Sequence, residues 1–171
     1  MTKITLELSE GDWIVHNRHG LGQITGMDTK ELLGDRKVFY VVKTDSITYW
    51  LPIGETGSER IRPVSTSTAF EEATKVLSQT PKDLNENFRR RLAYIQEKSQ
   101  DSDLLTKAAL IRDMHARDVQ KDVHINEKKI LETLKRQFIN EWVAACEMDR
   151  DEAENQMEQA LQKSISKLKI K

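Results

Sequence analysis

Three consecutive arginines, Arg89, Arg90 and Arg91, follow Phe88 near the middle of this 171-residue chain and form its densest group of side chains able to hold phosphates. On a helix Arg90 and Tyr94 would be neighbours, four positions apart. Taken alone, a triple arginine is an ordinary solvated helix face, and Phe88 equally begins an apolar stripe with Leu92 and Ile95. His16 and His19 could both ligate zinc, but no cysteine or carboxylate cluster completes a tetrahedral set, so turn formation and packing explain the pair more simply. The single cysteine, Cys146, has no internal partner and sits among apolar residues, which reads as a buried, inert thiol in a reducing cytosol. There is no nucleophile elbow, phosphate-cradling glycine loop, metalloprotease helix or deaminase signature. The expectation is therefore a protein without catalytic residues, cofactor, metal or small-molecule substrate.

Two kinds of element must position these groups. From Gly11 to Pro63 the chain reads as short strands, about Asp12 to His16, Gly22 to Thr29, Lys37 to Thr44 and Ile47 to Pro52, rich in Val, Ile, Tyr, Phe and Trp and separated by turn residues. Strands this short and few cover their apolar faces by curling, which predicts a small barrel or strongly bent antiparallel sheet.

Beyond residue 66 the pattern changes to amphipathic helices, about Ser67 to Ser78, Asn85 to Lys98, Ser102 to Lys121, Asn126 to Met148 and Asp149 to Ile165. The third carries a stripe of Leu104, Ala108, Ile111, His115 and Val119, which makes His115 a packed histidine. Asn126 is the expected cap of the fourth. No heptad persists, so the helices form a compact five-helix bundle. The fold class is α+β, with domains at 1–66 and 67–171.

Charge argues against independent nucleic-acid binding. The first part carries eight basic and nine acidic residues and the second nineteen of each, so any DNA contact must be local or assisted by a partner. No apolar run approaches the length of a membrane-spanning helix, and the start MTKITLELSEGD lacks a cleavable apolar core. A soluble, cytoplasmic, monomeric protein is expected.

The run Arg112, Asp113, Met114, Arg117, Asp118, followed after a break by Glu127, Lys128, Lys129, Ile130 and Leu131, resembles the C-terminal helical domain of the CarD family of bacterial RNA polymerase-binding transcription factors. The segment NFRRRLAYIQEK, Asn87 to Lys98, is similar to another stretch of the same domain, with correct spacing to the first. Gly11, Asp12, Val15, His19 and Gly20, then Gly34, Tyr40 and the ITYWLP run, resemble the family's N-terminal domain. That domain is a Tudor- or SH3-like barrel shared with the transcription-repair coupling factor.

The resemblance implies that the barrel pairs an exposed edge with the polymerase β subunit, with Lys30, Lys37, Tyr49, Trp50 and Pro52 as contact residues. Lys30 and Trp50 stand where many members carry arginine. It also implies that the helical domain contacts promoter DNA, weakly by itself, at the upstream edge of the transcription bubble. Phe88 would replace a tryptophan wedge, Arg90 and Arg91 would match an arginine pair, and Arg89, Tyr94, Lys128 and Lys129 would complete the contact. A position that is lysine in the family is Ala93 here. The alternative is a Tudor- or SH3-like protein–protein adaptor that never touches DNA.

Overall fold

The computed structural model describes residues 7–57 and 59–170, with side chains described as far as Leu168. The chain divides into two compact units between Val64 and Ser65.

The N-terminal unit has five strands, β1 (Trp13–His16), β2 (Gly20–Leu32), β3 (Asp35–Lys43), β4 (Thr48–Pro52) and β5 (Ile61–Pro63), in the order β4-β3-β2-β1-β5 with every pair antiparallel. Four of these match the expected strands. The three-residue β5 was missed, because a run that short shows no alternation to read. Ile14, Ile24, Tyr40, Val42, Leu51 and Ile61 form the core on one face of the sheet. A register shift between Ile24 and Gly26 bends β2 over that core.

Two turns shape the sheet. His16 builds the β1–β2 turn by accepting the amides of Arg18 and His19 on Nδ1, at 3.0 and 3.2 Å. The β2–β3 turn places Leu33 and Gly34 at φ +54° and +84°, the pair of positive angles of a type I′ two-residue hairpin loop.

The helical unit contains α1 (Ser67–Ser78), α2 (Phe88–Ser99), α3 (Leu104–Gln120), α4 (Ile125–Cys146) and α5 (Arg150–Ser166). The fold class is α+β, as expected. Side chains of Thr66, Asn87, Asp103 and His124 accept amides in the first turns of α1 to α4, and each such cap satisfies a donor that the helix itself cannot. The cap of α4 is therefore His124 and not Asn126. Phe70, Phe138 and Trp142 knit α1 to α4, with Phe70 stacked on Trp142 at 4° and both edge-on to Phe138.

Helix α3 packs against all four other helices and is buried nearly all round, polar residues included: Lys107, Arg112 and Asp113 are buried with Leu104, Ala108, Leu110, Ile111, Met114 and Ala116. The expected stripe holds as far as Ile111. Beyond it His115 is half-buried and Val119 is 57% exposed, while Ala116 is the buried residue of that turn.

Candidate nucleic-acid and partner interfaces

In the helical unit the most distinctive structure lies under the start of α2. Arg91 is 6% exposed and Glu127, in the first turn of α4, is 1% exposed. Arg91 Nε donates to Glu127 Oε1 at 2.5 Å and Nη2 to Oε2 at 3.3 Å, while Nη1 donates to the carbonyls of Asn85 and Glu86 at 2.9 and 3.0 Å. Such a bidentate pair, with both Nη1 hydrogens also taken by carbonyls, approaches the conditions under which two charges can be buried. It ties the start of α2 to the start of α4 and corrects the expectation that Arg91 contacts phosphates, since its guanidinium is already committed inside the protein.

Phe88 sits one helical turn earlier. Its ring lies 4.9 Å from that of His124 and 5.7 Å from the Arg91 guanidinium carbon, and the residue is 37% exposed and outside the apolar core. The inward residues of α2 are Arg91 and Ile95, four apart, with Leu92 half-buried. Of the two readings the sequence leaves for Phe88, the apolar stripe with Leu92 and Ile95 is not the inward one, because periodicity does not show that a charged residue, Arg91, faces the interior. Phe88→Ala should cost only about 1–2 kcal/mol, against about 3–5 for Phe138→Ala, as paired melting curves would show.

The two helix starts that carry Phe88 and His124 also carry cations. Arg89, Arg90, Lys128 and Lys129 are exposed, Lys128 standing 3.8 Å from Asp118. Tyr94 is 44% exposed with Lys98 over its ring at 5.8 Å. Sequence reasoning missed two residues at this place, His124 and the 58% exposed Ile125. Histidine is an uncommon cap and an exposed isoleucine carries no periodic signal, so nothing local announced them.

The repeated Arg-Asp motif lies mostly inside. Arg112 Nε donates to Asp113 Oδ1 at 2.8 Å, the same carboxylate oxygen accepts the Lys82 amide at 2.9 Å, and Arg112 Nη1 reaches the Val76 carbonyl and Gln79 Oε1 at 3.3 Å each. Arg117 and Lys121 both pair with Glu86. These groups hold the link between α1 and α2 against α3, so the motif is structural.

In the N-terminal unit the expected partner residues Tyr49, Trp50 and Pro52 lie on β4, an edge of the sheet, Lys37 on the adjacent β3 and Lys30 on β2. Trp50 is 43% exposed, its indole Nε1 donates to Asp28 Oδ2 at 3.1 Å, and Lys30 Nζ lies 3.5 Å from the ring centroid. The cation over the ring and the carboxylate at its edge fix the indole in one orientation. Lys37 is exposed and pairs in register with Lys30, and Pro52 is half-buried.

Tyr49 alternates to the other face, its ring against His16 and His19 at 5.5 and 4.6 Å. Burial pushes its phenol up to about 12, and its hydroxyl is buried without a hydrogen-bond partner. It is therefore a packing residue of the His pair, away from Trp50.

His16 and His19, with rings 4.5 Å apart, pack on Tyr49, and no group of three metal-ligating residues occurs among the described residues. Burial, then the charges of His19, Arg60 and Arg18, lowers His16 from 6.5 to about 4. A group whose folded pKa is depressed contributes stability that is present above its unfolded pKa and lost as pH falls toward the folded one. The N-terminal unit should therefore weaken between about pH 6.5 and 4. His16→Asn, which keeps an acceptor in the turn, should flatten that part of the dependence in melts at pH 7.5 and 4.5; parallel curves for the two proteins would refute it.

Comparison with known proteins adds three findings. The family model for "CarD, C-terminal domain" matches residues 72–158 and that for "CarD-like/TRCF RID domain" matches residues 8–65. A Bacillus subtilis (strain 168) protein described as "Putative transcription factor YdeB" is 26% identical over 133 residues, covering 77% of this chain and 87% of its own length.

Proposed function

This chain belongs to the CarD family, and on that premise we propose that it is a non-catalytic transcription regulator that docks on the β subunit of RNA polymerase and contacts promoter DNA at the upstream edge of the opened duplex. The observation that carries the DNA half is Phe88, a partly exposed ring outside the core, with exposed Arg89 and Arg90 next to it in α2 and exposed Lys128 and Lys129 in the first turns of α4, whose cap His124 it touches. A flat ring can occupy a disrupted base step while neighbouring cations hold the flanking phosphates. Contacts available only once the duplex has opened shift the closed-to-open equilibrium by their differential free energy, so no ATP is consumed.

Balanced charge makes the protein's own DNA affinity weak. Docking on polymerase turns that contact into an intramolecular one and raises its effective concentration. The deciding experiment is the lifetime of a polymerase–promoter open complex with and without the protein: Phe88→Ala should abolish most of the effect while polymerase retention is unchanged. An undiminished effect from the variant would return the protein to the adaptor reading.

The polymerase half rests on β4. The Thr44 amide bonds the Ile47 carbonyl at 2.8 Å, and alternation along an antiparallel ladder then turns the amides of Thr48 and Trp50 away from β3. An edge with outward amides can accept another strand, with Trp50 as the side-chain anchor. Thr48→Pro removes one such amide and should weaken retention of polymerase about tenfold or more, leaving the melting of the helical unit unchanged. Full retention by Thr48→Pro would exclude strand addition at this edge.

A further inference from the structure

Resting on the proposed DNA contact at Phe88, we infer that the nucleic-acid surface is a composite of two helix starts, in which His124 supplies a second ring and Ile125 an apolar flank for an unstacked nucleobase. Phe88 comes from α2, whereas His124 and Ile125 come from the cap and first residue of α4, and the two rings lie 4.9 Å apart at an interplanar angle of 45°. All three residues are exposed, Ile125 at 58% and Phe88 at 37%. Two tilted rings and an aliphatic side chain present more area to a base than Phe88 alone, which offsets the smaller surface of phenylalanine compared with an indole.

The charges beside the rings favour a base with its phosphates over an apolar peptide, and two further features pre-assemble the surface. The apolar residues are few and cations outnumber carboxylates beside them in the chain: Arg89 and Arg90 follow Phe88, and Lys128 and Lys129 lie three and four positions after Ile125, all exposed, against Asp122, Glu86, which Lys121 neutralises, and Asp118, which Lys128 faces. An anionic backbone flanking a flat aromatic group is the ligand whose charge complements that rim. The buried Arg91–Glu127 pair holds the two helix starts together beneath the rings, so the surface is assembled before the ligand arrives. His124 Nδ1 accepts the Asn126 amide at 3.1 Å, which fixes the orientation of the imidazole. Arg91 and Glu127 are thus positioning residues, and His124 is the residue expected to touch the base.

Because His124 is also a helix cap, the test must separate ring from cap. His124→Asn keeps a good cap and removes the ring, whereas His124→Phe keeps a ring and removes the cap. Each full-length variant would be assayed with polymerase on a forked promoter duplex carrying 2-aminopurine at the upstream junction, reading probe quenching and open-complex lifetime, beside a melting curve. His124→Asn should lose the quenching and shorten the lifetime about tenfold, while His124→Phe should retain both despite a lower melting temperature.

The inference is overturned if the loss instead follows the cap, with His124→Phe defective and His124→Asn normal, or if neither variant changes quenching or lifetime. Phe88→Ala distinguishes the two levels of failure. If it shortens the lifetime and the histidine variants do not, the composite surface alone is wrong; if it too has no effect, the DNA reading falls with it.

Discussion

Glu127→Ala is expected to destabilise the helical unit by about 3–5 kcal/mol, because it strips the carboxylate from a guanidinium that is almost wholly buried. Glu127 is 1% exposed and receives two donors of Arg91. After truncation, only the Asn85 and Glu86 carbonyls remain to satisfy Arg91. Replacing both partners together, as Arg91→Met with Glu127→Leu, should recover much of the loss, since the desolvation cost of both charges disappears with them. Denaturant unfolding of the two variants checks this. A single-variant loss below about 1 kcal/mol would mean that the pair is solvated and behaves as a surface ion pair.

Asp113→Ala is expected to cost a similar amount, about 3–5 kcal/mol, for a related reason. One carboxylate oxygen serves both Arg112 Nε and the Lys82 amide, so its loss leaves the buried guanidinium with only the neutral Val76 and Gln79 oxygens and takes away the acceptor of the Lys82 amide. Asp113→Asn keeps an acceptor for the Lys82 amide and should lie between wild type and the alanine variant. Amide hydrogen exchange would report the same event locally, with protection at Lys82 falling in Asp113→Ala before the rest of the unit responds. Equal stability of the three proteins would refute the clamp.

These effects concern the residues that made the chain recognisable. Arg112, Asp113 and Arg117 with their spacing carried the family resemblance, yet their side chains bind the α1–α2 link to α3. A motif of this kind reports a fold, because buried ion pairs demand both members at fixed positions. The DNA contact, by contrast, asks only for a flat ring and nearby cations, which several sequences satisfy.

By itself the sequence determined the α+β class, four of the five strands and the approximate spans of all five helices. Each of those follows from local information: period-two and period-3.6 apolar patterns, turn residues, and cap residues such as Thr66 and Asn87. Tertiary structure alone decided which polar groups face inward. Arg91 read as one of three equivalent cations until Glu127, 36 positions away, took it out of solvent. The same pairing left Phe88 off the apolar stripe and beside His124, and strand alternation turned Tyr49 to the His16–His19 side while Trp50 kept the outer edge. Burial and charge pairing depend on partners far apart in the chain, and a window of neighbouring residues carries no record of them.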